Sequence, residues 1–241
     1  MNKEISVNIS NCTLEGINAV KRVQSLRQMF FRPGAVTGIT IPILNDITLS
    51  FKAGEVVALV GSNGSGKSSI LKLITGIYPA KSGSVAVNGS ITSIIEMGLG
   101  VEPEFTGREN IKILMLYNNM LDRYNKEIEQ RIIDFSELGD KIDLPVKTYS
   151  SGMLSRLAFS TSIFQETDIL LLDEVFAAGD GHFVTKSLEF MKNKIQNVPL
   201  TILVSHQEDI IRQYCNRCVL IKNGQVAADG KPDEILSIYH S

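Results

Sequence analysis

The chain has 241 residues, enough for one large domain or two small ones with a sizeable buried core. Its 24 Lys+Arg against 26 Asp+Glu leave a net charge of −2, which argues against a protein that grips nucleic acid through bulk charge. A 44% hydrophobic and 21% charged composition excludes disorder, and no apolar run approaches the roughly 18 residues of a spanning helix. The N-terminus MNKEISVNIS lacks an apolar signal core and reads as cytoplasmic.

Taken in chain order, the basic segment from Lys21 to Arg32 (KRVQSLRQMFFR) carries Leu26, Met29, Phe30 and Phe31 at near-helical spacing. It reads either as an amphipathic helix capping a sheet edge or as a patch resting on anionic lipid or a membrane subunit. Glu55 to Val60 is a continuous apolar run, the pattern of a parallel strand buried on both faces. Gly61-Ser62-Asn63-Gly64-Ser65-Gly66-Lys67-Ser68 follows and fits G-x-x-x-x-G-K-[ST] at every fixed position. A helix with Ile70, Leu71 and Ile74 on its apolar side comes next, with Gly76 as its stop. Strand, glycine loop and helix in that order make a phosphate cradle: glycines admit close backbone N–H groups and the helix N-terminus adds positive partial charge. Lys67 is assigned to the β- and γ-phosphates and Ser68 to Mg²⁺, with Ser69 completing the nucleotide-binding set.

Val85 to Ile91 and Val219 to Val226 each carry Asn-Gly between apolar residues, and both read as antiparallel hairpins. Between Thr106 and Phe164 strand signals are few, and helical spacing runs over Glu109 to Leu121, Lys126 to Leu138 and Met153 to Phe164. Asp168 to Leu172 and Thr201 to Ser205 read as two further buried strands, so the chain is α/β. Asp173 and Glu174 stand at the end of the first of these, where α/β sheets place ligands. Asp173 suits a Mg²⁺ site, and Glu174 suits the polarisation of an attacking water. Cys215 and Cys218 form a lone C-x-x-C without the other ligands of a zinc site, and read as ordinary thiols at a helix-to-strand junction. Only a short tail, including Pro232 to Ser241, follows the second hairpin, and no extra C-terminal domain is expected.

Tyr149-Ser150-Ser151-Gly152-Met153, opening a helix before the Asp173-Glu174 strand, resembles the signature motif of ABC ATPases in a YSSGM form. Ala177-Ala178-Gly179-Asp180 resembles the D-loop of that family, and His206 after the strand ending at Ser205 resembles its switch histidine. With Thr106-Gly107-Arg108-Glu109-Asn110 opening the helical stretch, the chain is similar from about Ile43 onward to the ATPase subunits of polysaccharide exporters.

The resemblance implies a P-loop NTPase of the ABC ATPase fold: a RecA-like core over about 1–95 and 161–241, an inserted helical subdomain over about 96–160, and antiparallel β hairpins. It implies ATP and Mg²⁺ as ligands and a head-to-tail homodimer. Each nucleotide would lie between the phosphate loop of one copy and Ser150, Ser151 and Gly152 of the other, with Asp180 crossing the interface. His206 would join Glu174 as a catalytic residue. The family's glutamine before the helical insertion is missing, and Glu96 or Met97 stands near its position; Glu96 is favoured, beside Ser68 and Asp173, on the Mg²⁺ side. No aromatic stands near Asn11-Cys12-Thr13 to stack on adenine; Phe30 or Phe31 could do so, core packing being the commoner role.

The implied partner is a polytopic permease that contacts the polysaccharide, at the cytoplasmic face of a bacterial inner membrane, with no nucleic acid involved. Glu102 and Glu104, flanking Pro103, would face that permease. The competing reading is a soluble ABC-type ATPase that clamps nucleic acid or the ribosome. Such proteins carry coiled-coil arms, tandem cassettes or a basic face, and none is seen in this sequence. A GTPase would need an N-K-x-D segment, which is also missing.

Overall fold

The computed structural model describes residues 4–18, 39–94, 100–117, 120–174 and 181–240. The segment from Lys21 to Arg32, with Phe30 and Phe31, lies outside them, as do Glu96, Met97 and Asp180.

The chain runs β1 (Ser6–Asn18), β2 (Ile39–Lys52), β3 (Val56–Val60), α1 (Lys67–Ile74), β4 (Ser82–Asn88) and β5 (Ile91–Ile94). Three helices follow, α2 (Gly107–Tyr117), α3 (Lys126–Ser136) and α4 (Ser151–Ile163). The remainder is β6 (Ile169–Asp173), α5 (Gly181–Asn197), β7 (Leu200–Val204), α6 (Glu208–Tyr214), β8 (Arg217–Lys222), β9 (Gln225–Gly230) and α7 (Pro232–His240). The C-terminal tail is thus helical through His240.

Two sheets form. A six-stranded sheet has the order β5-β6-β7-β3-β8-β9, parallel except for β9. A three-stranded antiparallel sheet has the order β2-β1-β4. The strands of the parallel sheet divide their side chains between two cores. Val57, Leu59, Ile202 and Val204 pack with α1 and with Ile9, Leu49 and Phe51 of the antiparallel sheet. Ala58, Val60, Leu170, Leu172 and Leu203 pack with α4, α5, α6 and α7 on the other face. Apolar contacts on both faces explain why these strands read as unbroken hydrophobic runs. A third cluster, including Ile111, Met115, Ile132, Ile142 and Leu157, lies within the helical stretch.

Only one of the two Asn-Gly hairpins forms. At Asn223 and Gly224 both φ values are positive, at 52° and 74°, and β8 pairs antiparallel with β9. The expected hairpin at Asn88-Gly89 is overturned: β4 pairs with β1, whereas β5 pairs parallel with β6, so the chain passes from one sheet to the other. Tertiary anchors explain the departure. The backbone N and Oγ of Ser90 both donate to Asp168 Oδ2, at 2.8 and 2.9 Å. Gly89 sits so close that a Cβ there would lie 3.1 Å from atoms of Asp168 and Ile169.

Candidate functional site

The phosphate loop spans the end of β3 and the start of α1, and its shape is imposed by neighbours rather than by the loop alone. A Cβ on Gly61 would lie 2.2 Å from the carbonyl oxygen of Ile221, and one on Gly66 2.6 Å from Leu44 Cδ2. Gly61 and Gly66 also have φ of 147° and 110°, so glycine is required twice over. The turn of the β8–β9 hairpin reaches the same loop: Gly224 N donates to Ser65 O at 3.0 Å, and Asn45 N donates to Gly224 O at 2.9 Å. Arg217 anchors that hairpin through Asp229 and Glu55, and donates to Ser50 O at 2.8 Å. The bracing role of Gly224 was missed by sequence reasoning; the signal was the Asn-Gly pair itself, read only as a turn.

Ser62, Asn63 and Gly64 are exposed at the rim, whereas Ser65, Gly66 and Lys67 are buried and Ser68 and Ser69 half-buried. Lys67, only 5% exposed, donates to the carbonyls of Gly61 and Ser62 at 2.9 and 3.0 Å. Burial lowers its pKa, opposed by the charges of Glu174 and Asp173. The buried Ser65 hydroxyl has no hydrogen-bond partner, as expected of a group aimed at a ligand.

Opposite the loop, Ser68 Oγ donates to Asp173 Oδ1 at 3.1 Å. Two hard oxygen donors side by side suit a magnesium ion. Burial raises the pKa of Asp173, with the Ser68 hydrogen bond opposing it. Glu174 follows in a left-handed conformation, φ 59°, with its N–H donating to Val204 O at 3.0 Å. That strained backbone leaves the carboxylate 56% exposed and 3.0 Å from Nε2 of the half-exposed His206. Residues 32 positions apart meet because β6 and β7 are adjacent parallel strands that end together. Glu174, His206, Ser68, Asp173 and the loop therefore share one end of the parallel sheet.

The helix tip at Ser150 is built separately. Ser150 Oγ accepts from Met153 N at 3.2 Å and caps α4. Ser150 and Ser151 are exposed and Gly152 half-buried, so the tip faces solvent. Beside it lies a cavity of about 300 Å³ whose lining includes Glu137, Lys141, Ser150, Gly152 and Arg156.

The Thr106–Asn110 segment proves architectural. Thr106 and Glu109 form a reciprocal cap, with Thr106 N donating to Glu109 Oε2 at 2.9 Å and Glu109 N to Thr106 Oγ1 at 3.2 Å. Buried Asn110 donates to the carbonyls of Glu102, Phe105 and Thr106. Gly107 makes room for Tyr149, whose hydroxyl would lie 2.3 Å from a Cβ there. Two motifs far apart in sequence thus fit against each other.

Elsewhere, Cys215 and Cys218 are buried at the junction of α6 and β8, and burial pushes both thiols up to about 12. They stay protonated and inert at neutral pH. His240 pairs with Glu208, and His182 is 85% exposed. Glu104 pairs with Lys147 at 2.7 Å.

Residues 44–177 match the sequence profile of the family described as ABC transporter. The chain belongs to that family. Its ABC relatives include the O-antigen export system ATP-binding protein RfbB of Myxococcus xanthus, 38% identical over 98% of this chain and 54% of the relative. A protein of the same name from Klebsiella pneumoniae is 37% identical over 97% of this chain and 96% of the relative. The chain therefore spans about half the length of the first relative and nearly all of the second. In fold it matches a dimeric ATP-binding cassette solved in a post-hydrolysis state with ADP and phosphate, at a TM-score of 0.69, 19% identity, and coverage of 94% of this chain and 98% of that one. The mixed α/β architecture is that of an ABC ATPase. Among the described residues no helix is long and apolar enough to cross a membrane.

Proposed function

We propose that this chain is the ATP-hydrolysing subunit of an exporter of a cell-surface polysaccharide, of the O-antigen, capsule or teichoic acid type. The observation that carries the reading is the Glu174–His206 pair beside Ser68 and Asp173, next to the phosphate loop, in a chain akin to O-antigen export proteins over almost its full length.

In this reading the backbone from Gly61 to Gly66 wraps the phosphates of ATP, and Lys67 exchanges its two loop carbonyls for β- and γ-phosphate oxygens. Ser68 and Asp173 would hold Mg²⁺, with Glu96 assigned to the same side, and the ion would supply charge neutralisation at the phosphate oxygens. Glu174 takes a proton from the attacking water, and His206 orients that water or the γ-phosphate. The tip at Ser150, Ser151 and Gly152 of a second copy closes over the γ-phosphate, its helix dipole adding positive charge, and Asp180 crosses between the copies. Closure and reopening of that homodimer drive a polytopic permease at the cytoplasmic face of the membrane, and the permease handles the glycan. The exposed Phe105, Leu116, Tyr117, Leu121 and Leu144 of the helical stretch supply apolar surface for that partner.

The test is Glu174→Gln in the purified protein. ATP binding persists, a dimer accumulates in ATP and magnesium by light scattering, and turnover falls about 100- to 10,000-fold. Wild-type turnover in that variant overturns the assignment of Glu174. Deletion in the native host should trap a surface glycan inside the cell; an unaltered surface overturns the export reading.

A further inference from the structure

Glu137 closes α3 with φ 56°, a left-handed conformation that helix ends normally give to glycine or asparagine. Its backbone thus disfavours glutamate, so the reason for that residue lies in the side chain. The carboxylate meets Lys186 Nζ at 2.8 Å, Arg156 Nη1 at 3.3 Å and His182 Nδ1 at 3.9 Å. Arg156 belongs to α4, the helix whose tip is Ser150; His182 and Lys186 belong to α5, the helix that follows the segment after Glu174. The hydrogen bond from Lys186 holds the Glu137 carboxyl below the usual carboxylate range, so it is ionised.

Stacking reinforces the meeting point. The Arg156 guanidinium lies 4.9 Å from the Phe183 ring centroid, and Lys186 lies 4.5 Å from that of Phe135 while donating to Phe135 O at 3.0 Å. At its far end α4 is gripped by the same helix: Lys194 of α5 donates to Ile163 O and Gln165 O at 2.5 and 2.6 Å. One helix therefore holds α4 at its middle, at Arg156, and at its C-terminal end. Glu137 also lines the cavity beside Ser150 and Gly152.

We propose that Glu137 is a positioning residue for ATP hydrolysis: by clasping α4 to α5 through Arg156 and Lys186, it fixes the angle at which the Ser150–Gly152 tip meets the nucleotide of the second copy. This rests on the dimer reading above. The partners of Glu137 are Arg156, His182 and Lys186, none of them in the phosphate loop, so its loss leaves protomer binding intact and weakens closure.

The experiment uses Glu137→Asn, which suits the positive φ but lacks the charge, and Glu137→Asp, which keeps it. A second neutral route is Lys186→Met, whose apolar stem still covers Phe135 and Phe183. Binding of a fluorescent ATP analogue to the protomer stays within about twofold, while kcat falls about tenfold. In the Glu174→Gln background, the dimer formed in ATP and magnesium becomes about tenfold weaker in Glu137→Asn and Lys186→Met, and recovers in Glu137→Asp. Unchanged kcat and dimer strength in the two neutral variants overturn the proposal. So does protomer binding that falls in step with kcat in both, which marks general damage. If Glu174→Gln alone forms no dimer, the dimer reading itself fails and takes this inference with it; a normal dimer in that control isolates failure of the clasp.

Discussion

The phosphate-loop end of the parallel sheet and the helical stretch that carries the Ser150 tip treat charge in opposite ways. At the loop, burial works against the ionised forms, lowering the pKa of Lys67 and raising that of Asp173. In the helical stretch, partners favour ionisation: Lys186 lowers the pKa of Glu137, and Arg108 lowers that of Asp143. Backbone packing differs as well. The loop is wedged against Ile221, Leu44 and Gly224, whereas the tip stands in solvent on one serine cap. On the function proposed above, a site held rigid with its charges ill at ease would gain when a magnesium–triphosphate arrives. A surface already satisfied by its own ion pairs is suited to move as a unit and to be aimed.

The largest effect that tests this contrast is expected from Gly61→Ala. Its Cβ would strike a backbone carbonyl that cannot give way, so nucleotide binding is lost and stability falls by about 3 kcal/mol in denaturant melts. Retained ATP binding would show that the wedge is soft. Lys67→Met comes next: ATP affinity by calorimetry drops about 100-fold, yet the nucleotide-free protein loses little in Tm, because removing a penalised buried charge offsets the loss of its two carbonyl hydrogen bonds. A marked drop in Tm would break the claim that the loop is electrostatically uneasy.

Ser150→Ala addresses the other region. Losing the cap costs about 1 kcal/mol of stability, while protomer ATP binding is unchanged. The smallest effect is expected from Asp173→Asn without nucleotide. A carboxyl whose folded pKa is raised contributes stability at pH below its unfolded pKa, near 4, and that contribution is lost as pH rises through the folded value. The asparagine variant therefore has the higher Tm at pH 7, and the gap narrows towards pH 4. A gap that widens on acidification would reverse the sign assigned to this site.

Much of the site was legible because its chemistry is local. Gly61 to Ser68 are contiguous, and a strand before and a helix after sufficed to identify the loop. Asp173 and Glu174 were legible as the end of a strand. Glu137 was not, since nothing near it in sequence announces that Arg156, His182 and Lys186 converge on it. The misread hairpin at Asn88-Gly89 has a related cause: an Asn-Gly pair permits a tight turn, but the hydrogen bonds of Ser90 to Asp168 send the chain to another sheet.

By itself the sequence determined the α/β class, the buried parallel strands and the phosphate loop, because periodicity and glycine spacing act over a few residues. Only the tertiary structure decided that Glu174 meets His206, that a hairpin turn braces the loop from Gly224, and that α5 grips the helix behind Ser150. Those contacts depend on which strands lie side by side and how helices pack on them, and that order is a property of the whole chain.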